Sequence, residues 1–224
     1  MEASMERGIK LYNSRRYERA LQEFRSCGVD PAEDSNLAYY VGLTLTKLER
    51  YDDALIHLEM VVTSHTSFLH VYQSRMILGY IYAITRRYRL AEFEFRKLLE
   101  AGLESTQIYA SLGYISYSQG NVEDSITFLK RSLAIDPAYP NALNSLGYIY
   151  AEEGIELVQA LEYCRKASEL KPDNAAYLDS LGWVYCKLGE YEDARLCLRK
   201  ALDLCPGTKE IARHLKAVLQ KLGS

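Results

Sequence analysis

Between Pro140 and Pro206 the chain states one pattern twice. The first copy reads PNALNSLGYIYAEEGIELVQALEYCRKASELKP. After two residues the second reads AAYLDSLGWVYCKLGEYEDARLCLRKALDLCP. Leu146-Gly147 returns as Leu181-Gly182, Tyr150 as Tyr185, Ala160 as Ala194, Ala167 as Ala201 and Pro172 as Pro206. Self-similarity at a period near 34 residues belongs to stacked helix-turn-helix units. Such a unit cannot bury its apolar face alone, so the chain must grow by stacking neighbours.

The glycine sets the phase for the rest. Gly8, Gly42, Gly79, Gly113, Gly147 and Gly182 fall at one position of units 1–34, 35–71, 72–105, 106–139, 140–174 and 175–208. The second unit carries extra residues, assigned to a loop at SHTSFLH, and the fifth carries one in the turn at Ile155–Val158. Insertions belong in connections, because one inside a helix would rotate its buried face away. In the sixth unit the apolar spacing predicts helices over 176–188 and 192–204. Gly189 and Pro206 close them.

A glycine inside a helix costs about 1 kcal/mol against alanine. Repeated at one phase, it needs a compensating close contact. The expected partners, one turn into each second helix, are Ala20, Ala54, Ala91, Ser125, Ala160 and Ala194. Residues 209–222 read as one amphipathic helix with Ile211, Leu215, Val218, Leu219 and Leu222 on a stripe, a cap for the last unit.

A net charge of -3 argues against a general phosphate-binding surface. No apolar run approaches the roughly 18 residues needed to span a bilayer. The N-terminus lacks the apolar core of a secretory signal. Cys27, Cys164, Cys186, Cys197 and Cys205 show no zinc spacing and are read as reduced, although Cys186 and Cys205 flank a helix pair and could meet. Free thiols point to a reducing, cytoplasmic compartment. Envelope attachment remains open if a leader was trimmed. His65 and His70 are placed in or near the inserted loop, and their spacing is not that of a helical metal pair. No nucleophile elbow or phosphate loop occurs. Hence no catalytic residue, metal or cofactor is expected.

With its in-phase small residues, the turn aromatics Tyr17, Tyr51 and Tyr88, the turn glycines Gly120, Gly154 and Gly189, and the closing prolines Pro137, Pro172 and Pro206, the chain resembles the tetratricopeptide-repeat family. The last units also resemble bacterial repeat proteins, some of them envelope lipoproteins. The first three units have Arg15, Glu49 and Arg86 where the turn glycine belongs. The resemblance implies an all-α, right-handed superhelical solenoid whose first helices line a concave groove.

On that reading the partner-binding residues are Asn36, Tyr39, Gln73, Met76, Tyr80, Gln107, Tyr114, Tyr117, Asn141, Asn144, Tyr148, Asp179 and Trp183. The tyrosines and Trp183 form an aromatic ladder, and the carboxamides form a rail able to serve a peptide backbone. Packing of the same rings on neighbouring helices is the competing account. Asp179, Glu152 and Lys187 are read as a solvated rim at the C-terminal mouth. The family's chaperone-tail clamp needs cations, and Ala110, Tyr114, Ser145, Ala176 and Ser180 stand there instead, so no such clamp is expected.

The function implied is a non-catalytic adaptor that holds a protein or peptide, without nucleic acid and without membrane insertion. The alternatives are a self-associating scaffold and an accessory subunit that regulates an enzyme.

Overall fold

The computed structural model of the chain describes residues 2–64 and 67–223. Among these residues all regular structure is helical, in thirteen helices. They fall into two compact units, one running through Glu104 and one starting at Ser105.

The N-terminal unit holds α1 (Glu2–Asn13), α2 (Tyr17–Arg25), α3 (Ser35–Lys47), α4 (Tyr51–Thr63), α5 (Phe68–Ile84) and α6 (Tyr88–Glu100). Each pair α1–α2, α3–α4 and α5–α6 is a hairpin, and the first helices α1, α3 and α5 lie side by side. The C-terminal unit holds α7 (Thr106–Ser118), α8 (Val122–Ile135), α9 (Pro140–Glu153), α10 (Leu157–Leu170), α11 (Ala175–Leu188), α12 (Tyr191–Leu204) and α13 (Lys209–Leu222). Here α7, α9 and α11 form the layer of first helices, and α13 packs on α11 and α12.

Several first helices are started by side chains. Asp34 accepts from the N–H groups of Asn36 and Leu37, and Asn174 does the same for Ala176 and Tyr177. Ser67 and Ser105 accept from His70 and Ile108. These oxygens satisfy amides that have no partner in the first turn. The second helices start differently, from a tight turn that holds a left-handed residue. In the C-terminal unit φ is +85° at Gly120 and +83° at Gly189. The N-terminal unit uses the same turn without glycine, at Arg15, Glu49 and Arg86, with φ near +60°. The missing turn glycines therefore mark strain and not a change of geometry.

The recurring helix glycines are all buried. A methyl group at each would strike the residue one turn beyond the expected small partner. It would lie 2.6 Å from Phe95 at Gly79, 2.7 Å from Leu129 at Gly113 and 2.7 Å from Leu198 at Gly182. The expected small residue still matters, because its carbonyl is next in line: Ala160 O would lie 2.9 Å from a methyl on Gly147. Ser125 uses its hydroxyl to donate to Gly113 O at 2.7 Å. The glycine thus makes room for a large side chain and a backbone oxygen, a tighter fit than small against small.

The extra residues of the second unit do not form only a loop. They lengthen α5, which begins at Phe68 and carries His70 inside the helix, where its ring stacks on Tyr39 at 4.0 Å. His70 is half-buried, and burial lowers its pKa. His65 lies outside the described residues.

Four hairpins carry a polar tie at the end opposite their turn. Ser35 Oγ and Ser64 Oγ are 2.8 Å apart in α3–α4. Ser132 Oγ donates to Thr106 O at 2.9 Å in α7–α8. Lys166 Nζ donates to Pro137 O at 3.0 Å, and Lys200 Nζ to Pro172 O at 3.1 Å, drawing α10 and α12 to the segments that lead into α9 and α11.

Candidate functional site: the first-helix faces

In the N-terminal unit the layer of first helices encloses an open cavity of about 470 Å³. Tyr12 of α1, Leu43 of α3 and Met76, Ile77 and Tyr80 of α5 line it. Lys47 and Glu49 stand at its polar edge. Tyr80 is 53% exposed. The expected site residues of this unit separate. Met76 and Tyr80 line the cavity. Asn36 is exposed at the start of α3. Tyr39 is buried, with its hydroxyl donating to Gln73 Oε1 and its ring on His70. The reason is geometric: lengthening α5 brings His70 over the Tyr39 ring, which becomes a packing residue. Gln73 accordingly spends its amide oxygen on the protein.

Two partly buried polar pairs in this unit escaped the sequence reading. Arg75 donates to Glu94 at 2.6 Å between α5 and α6, and Tyr82 donates to Glu59. Burial raises the Glu94 pKa while Arg75 pulls it down.

In the C-terminal unit Gln107 and Tyr114 are exposed on α7, Tyr114 to 50%. Tyr117 and Tyr148 are half-buried and meet edge to face, with ring centroids 6.4 Å apart and planes at 89°. Asn141 accepts from the Tyr177 hydroxyl, so this rail residue is also engaged. One helical turn on, the amide oxygen of Asn144 is shielded from solvent and has no donor in the protein.

The C-terminal mouth differs most from expectation. Asp179 is buried and not on a solvated rim, because α13 lies over it. His214 of α13 is 1% exposed. Its Nδ1 lies 2.9 Å from Asp179 Oδ1, and Arg213 Nη2 lies 3.3 Å from its Nε2. A guanidinium only donates, so Nε2 accepts and the Nδ1–H donates to Asp179. Both ring nitrogens are occupied, which leaves no free base for proton transfer. The same ring stacks on Trp183 at 4.2 Å, Trp183 donates to Glu152, and Lys187 sits 5.1 Å above the indole. The last rung of the expected ladder is therefore clamped by the chain's own final helix. The signal was available: His214 falls three residues after Ile211 and four before Val218, at the buried phase of the stripe.

A layered all-α helical-repeat protein, with half-exposed aromatics on its first helices, is the class these features define. Residues 113–154 match the family model for the TPR repeat, and residues 175–208 match that for the tetratricopeptide repeat. A TPR repeat-containing protein of Pseudomonas aeruginosa is 40% identical over 87 residues, 39% of this chain and 15% of that protein. The chain thus spans a small part of that relative's length. Two solved structures share the fold. YrrB, described as a TPR protein with an unusual peptide-binding site, aligns with TM-score 0.58 at 22% identity over 89% of this chain and 97% of its own. The Cut9–Hcn1 hetero-tetramer of APC/C aligns with TM-score 0.77 at 14% identity over 96% of this chain and 42% of its own.

The chain thus carries repeats of the tetratricopeptide-repeat family over these two stretches. Proteins of this family generally mediate protein–protein interactions and are generally not enzymes. Among the described residues no helix is long and apolar enough to cross a membrane.

Proposed function

We propose that this chain is a non-catalytic adaptor that binds a peptide segment, or an element of a partner domain, against its first-helix faces. The frame is six helix-pair repeats with boundaries at 34, 71, 105, 139, 174 and 208, followed by the capping helix. One observation carries the reading. The first helices hold large rings half out in solvent, Tyr80 at 53% and Tyr114 at 50%, and Tyr80 borders a cavity. Tyrosine offers apolar area at low entropic cost together with a hydrogen-bonding tip, which suits it to anchoring a partner. Asn36 on α3 and Gln107 on α7, both exposed, supply a donor and an acceptor to a peptide backbone.

The experiment is capture of partners by the wild-type chain, by Tyr80→Ala and by Tyr114→Ala with Tyr148→Ala, followed by their identification. Loss of the same partner from an otherwise folded variant is expected. Unchanged capture by both variants would overturn the reading.

A further inference from the structure

We infer that the first-helix face of the C-terminal unit selects a positively charged segment, with a Lys or Arg side chain seated in the corner between Tyr117 and Tyr148. This rests on the peptide-binding reading above and names the partner's chemistry.

Four observations meet there. The two rings stand at 89°, so they form two walls of a box, the arrangement in which a cation lies over one aromatic face beside the edge of another. The charge around them is acidic. Burial raises the Tyr117 phenol's pKa, and the nearby Glu152, Glu153 and Glu210 carboxylates raise it further. Burial, Glu152 and Glu210 act likewise on Tyr148. Arg213 opposes them at Tyr148, but its guanidinium is turned to Glu210 at 3.8 Å and to His214. Thirdly, α7 carries no charged residue and α9 carries only Glu152 and Glu153, so these two helices bring no cation of their own. Lastly, the next repeat shows a cation already seated over an aromatic face. Lys187 lies 5.1 Å over the Trp183 ring, whose indole N–H is held by Glu152. Tyr148 holds in α9 the place that Trp183 holds in α11, and its i+4 neighbour is Glu152 where Trp183 has Lys187, so the cation at Tyr148 is left for a partner to bring.

The test uses the full chain and a displayed library of random peptides about twelve residues long. Selected peptides are expected to be enriched in Lys and Arg. A selected peptide should bind Glu153→Gln with Glu210→Gln about tenfold more weakly at low salt, with the gap closing at high salt. Tyr117→Leu with Tyr148→Leu should abolish its advantage over the same peptide with Gln at the cationic positions. Circular dichroism confirms that each variant is folded.

Neutral or acidic selected peptides that still depend on Tyr114 and Tyr148 would overturn the charge inference and leave the binding reading standing. Cationic peptides indifferent to Tyr117 and Tyr148 would overturn the corner. Failure to select any peptide would overturn both.

Discussion

Gly147→Ala tests the contact that sets the distance between α9 and α10. The new methyl would lie 2.6 Å from Cys164 Sγ, 2.9 Å from Ala160 O and 3.3 Å from Cys164 N. Ordinary contact for a carbon begins near about 3.5 Å, so the methyl falls well short against two neighbours. Two of the three atoms belong to the backbone of α10 and cannot rotate away. Relief requires the helices to part by several tenths of an ångström. Overpacking of this kind costs about 1–3 kcal/mol. The substitution also gains about 1 kcal/mol of helix propensity. The net expectation is a loss of about 1 kcal/mol within a range of about 0–2, or roughly 2–4 °C in melting temperature.

Trp183, the single tryptophan, lies in the same unit, so urea unfolding followed by its fluorescence reports the relevant region. Adding Cys164→Ala removes the nearest atom and should recover about 1 kcal/mol as a coupling energy. Recovery should be incomplete, since Ala160 O stays in place. If Gly147→Ala unfolds at the same urea concentration as wild type or a higher one, close backbone approach is not what the glycine provides.

Asp179→Ala strips the acceptor from the buried His214 N–H, at a cost of about 1–3 kcal/mol. Faster amide exchange along α13 and a changed Trp183 emission should accompany it, and an unchanged α13 would refute the clamp. Glu49→Gly relieves a non-glycine residue at φ +57°. The relief of about 1–2 kcal/mol exceeds the unfolded-state entropy cost of about 0.4–1 kcal/mol, so the midpoint of denaturation should rise. Glu94 has its pKa raised from 4.5 by burial, so the folded state holds its proton more tightly than the unfolded chain. Its contribution is full below the ordinary glutamate range and is lost as pH rises through the raised value. The stability of wild type minus that of Glu94→Gln should therefore fall with rising pH across that window, and a flat difference would refute it.

The fold was legible because its determinants repeat. One buried glycine at Gly113 or Gly147 means little; six in phase fix the hairpin and its partner face. Helix ends with a chemical stop, such as Gly189, were readable for the same reason. The site was less legible because exposure depends on what a neighbouring helix covers. Tyr39 and Tyr80 look alike along the chain, yet one lies under His70 and the other faces solvent. His70 itself depends on the lengthening of α5, and an insertion does not announce whether it coils or extends a helix. Asp179 reads as surface until α13 is laid over it. Its partner His214 had the right phase but the wrong chemistry for an apolar stripe. The left-handed turns at Arg15, Glu49 and Arg86 show that a backbone shape persists where its usual residue is gone.

The ties at Ser35–Ser64, Thr106–Ser132, Pro137–Lys166 and Pro172–Lys200 shut the mouths of their hairpins, whose other ends are already joined by the chain. Each such pair behaves as a closed link. Splaying its helices means breaking such a tie, and neighbouring links are joined in turn by Tyr39–Gln73, Tyr82–Glu59, Tyr177–Asn141 and Trp183–Glu152. An array that shapes itself around a guest therefore meets polar resistance both inside each link and at the joints within each unit.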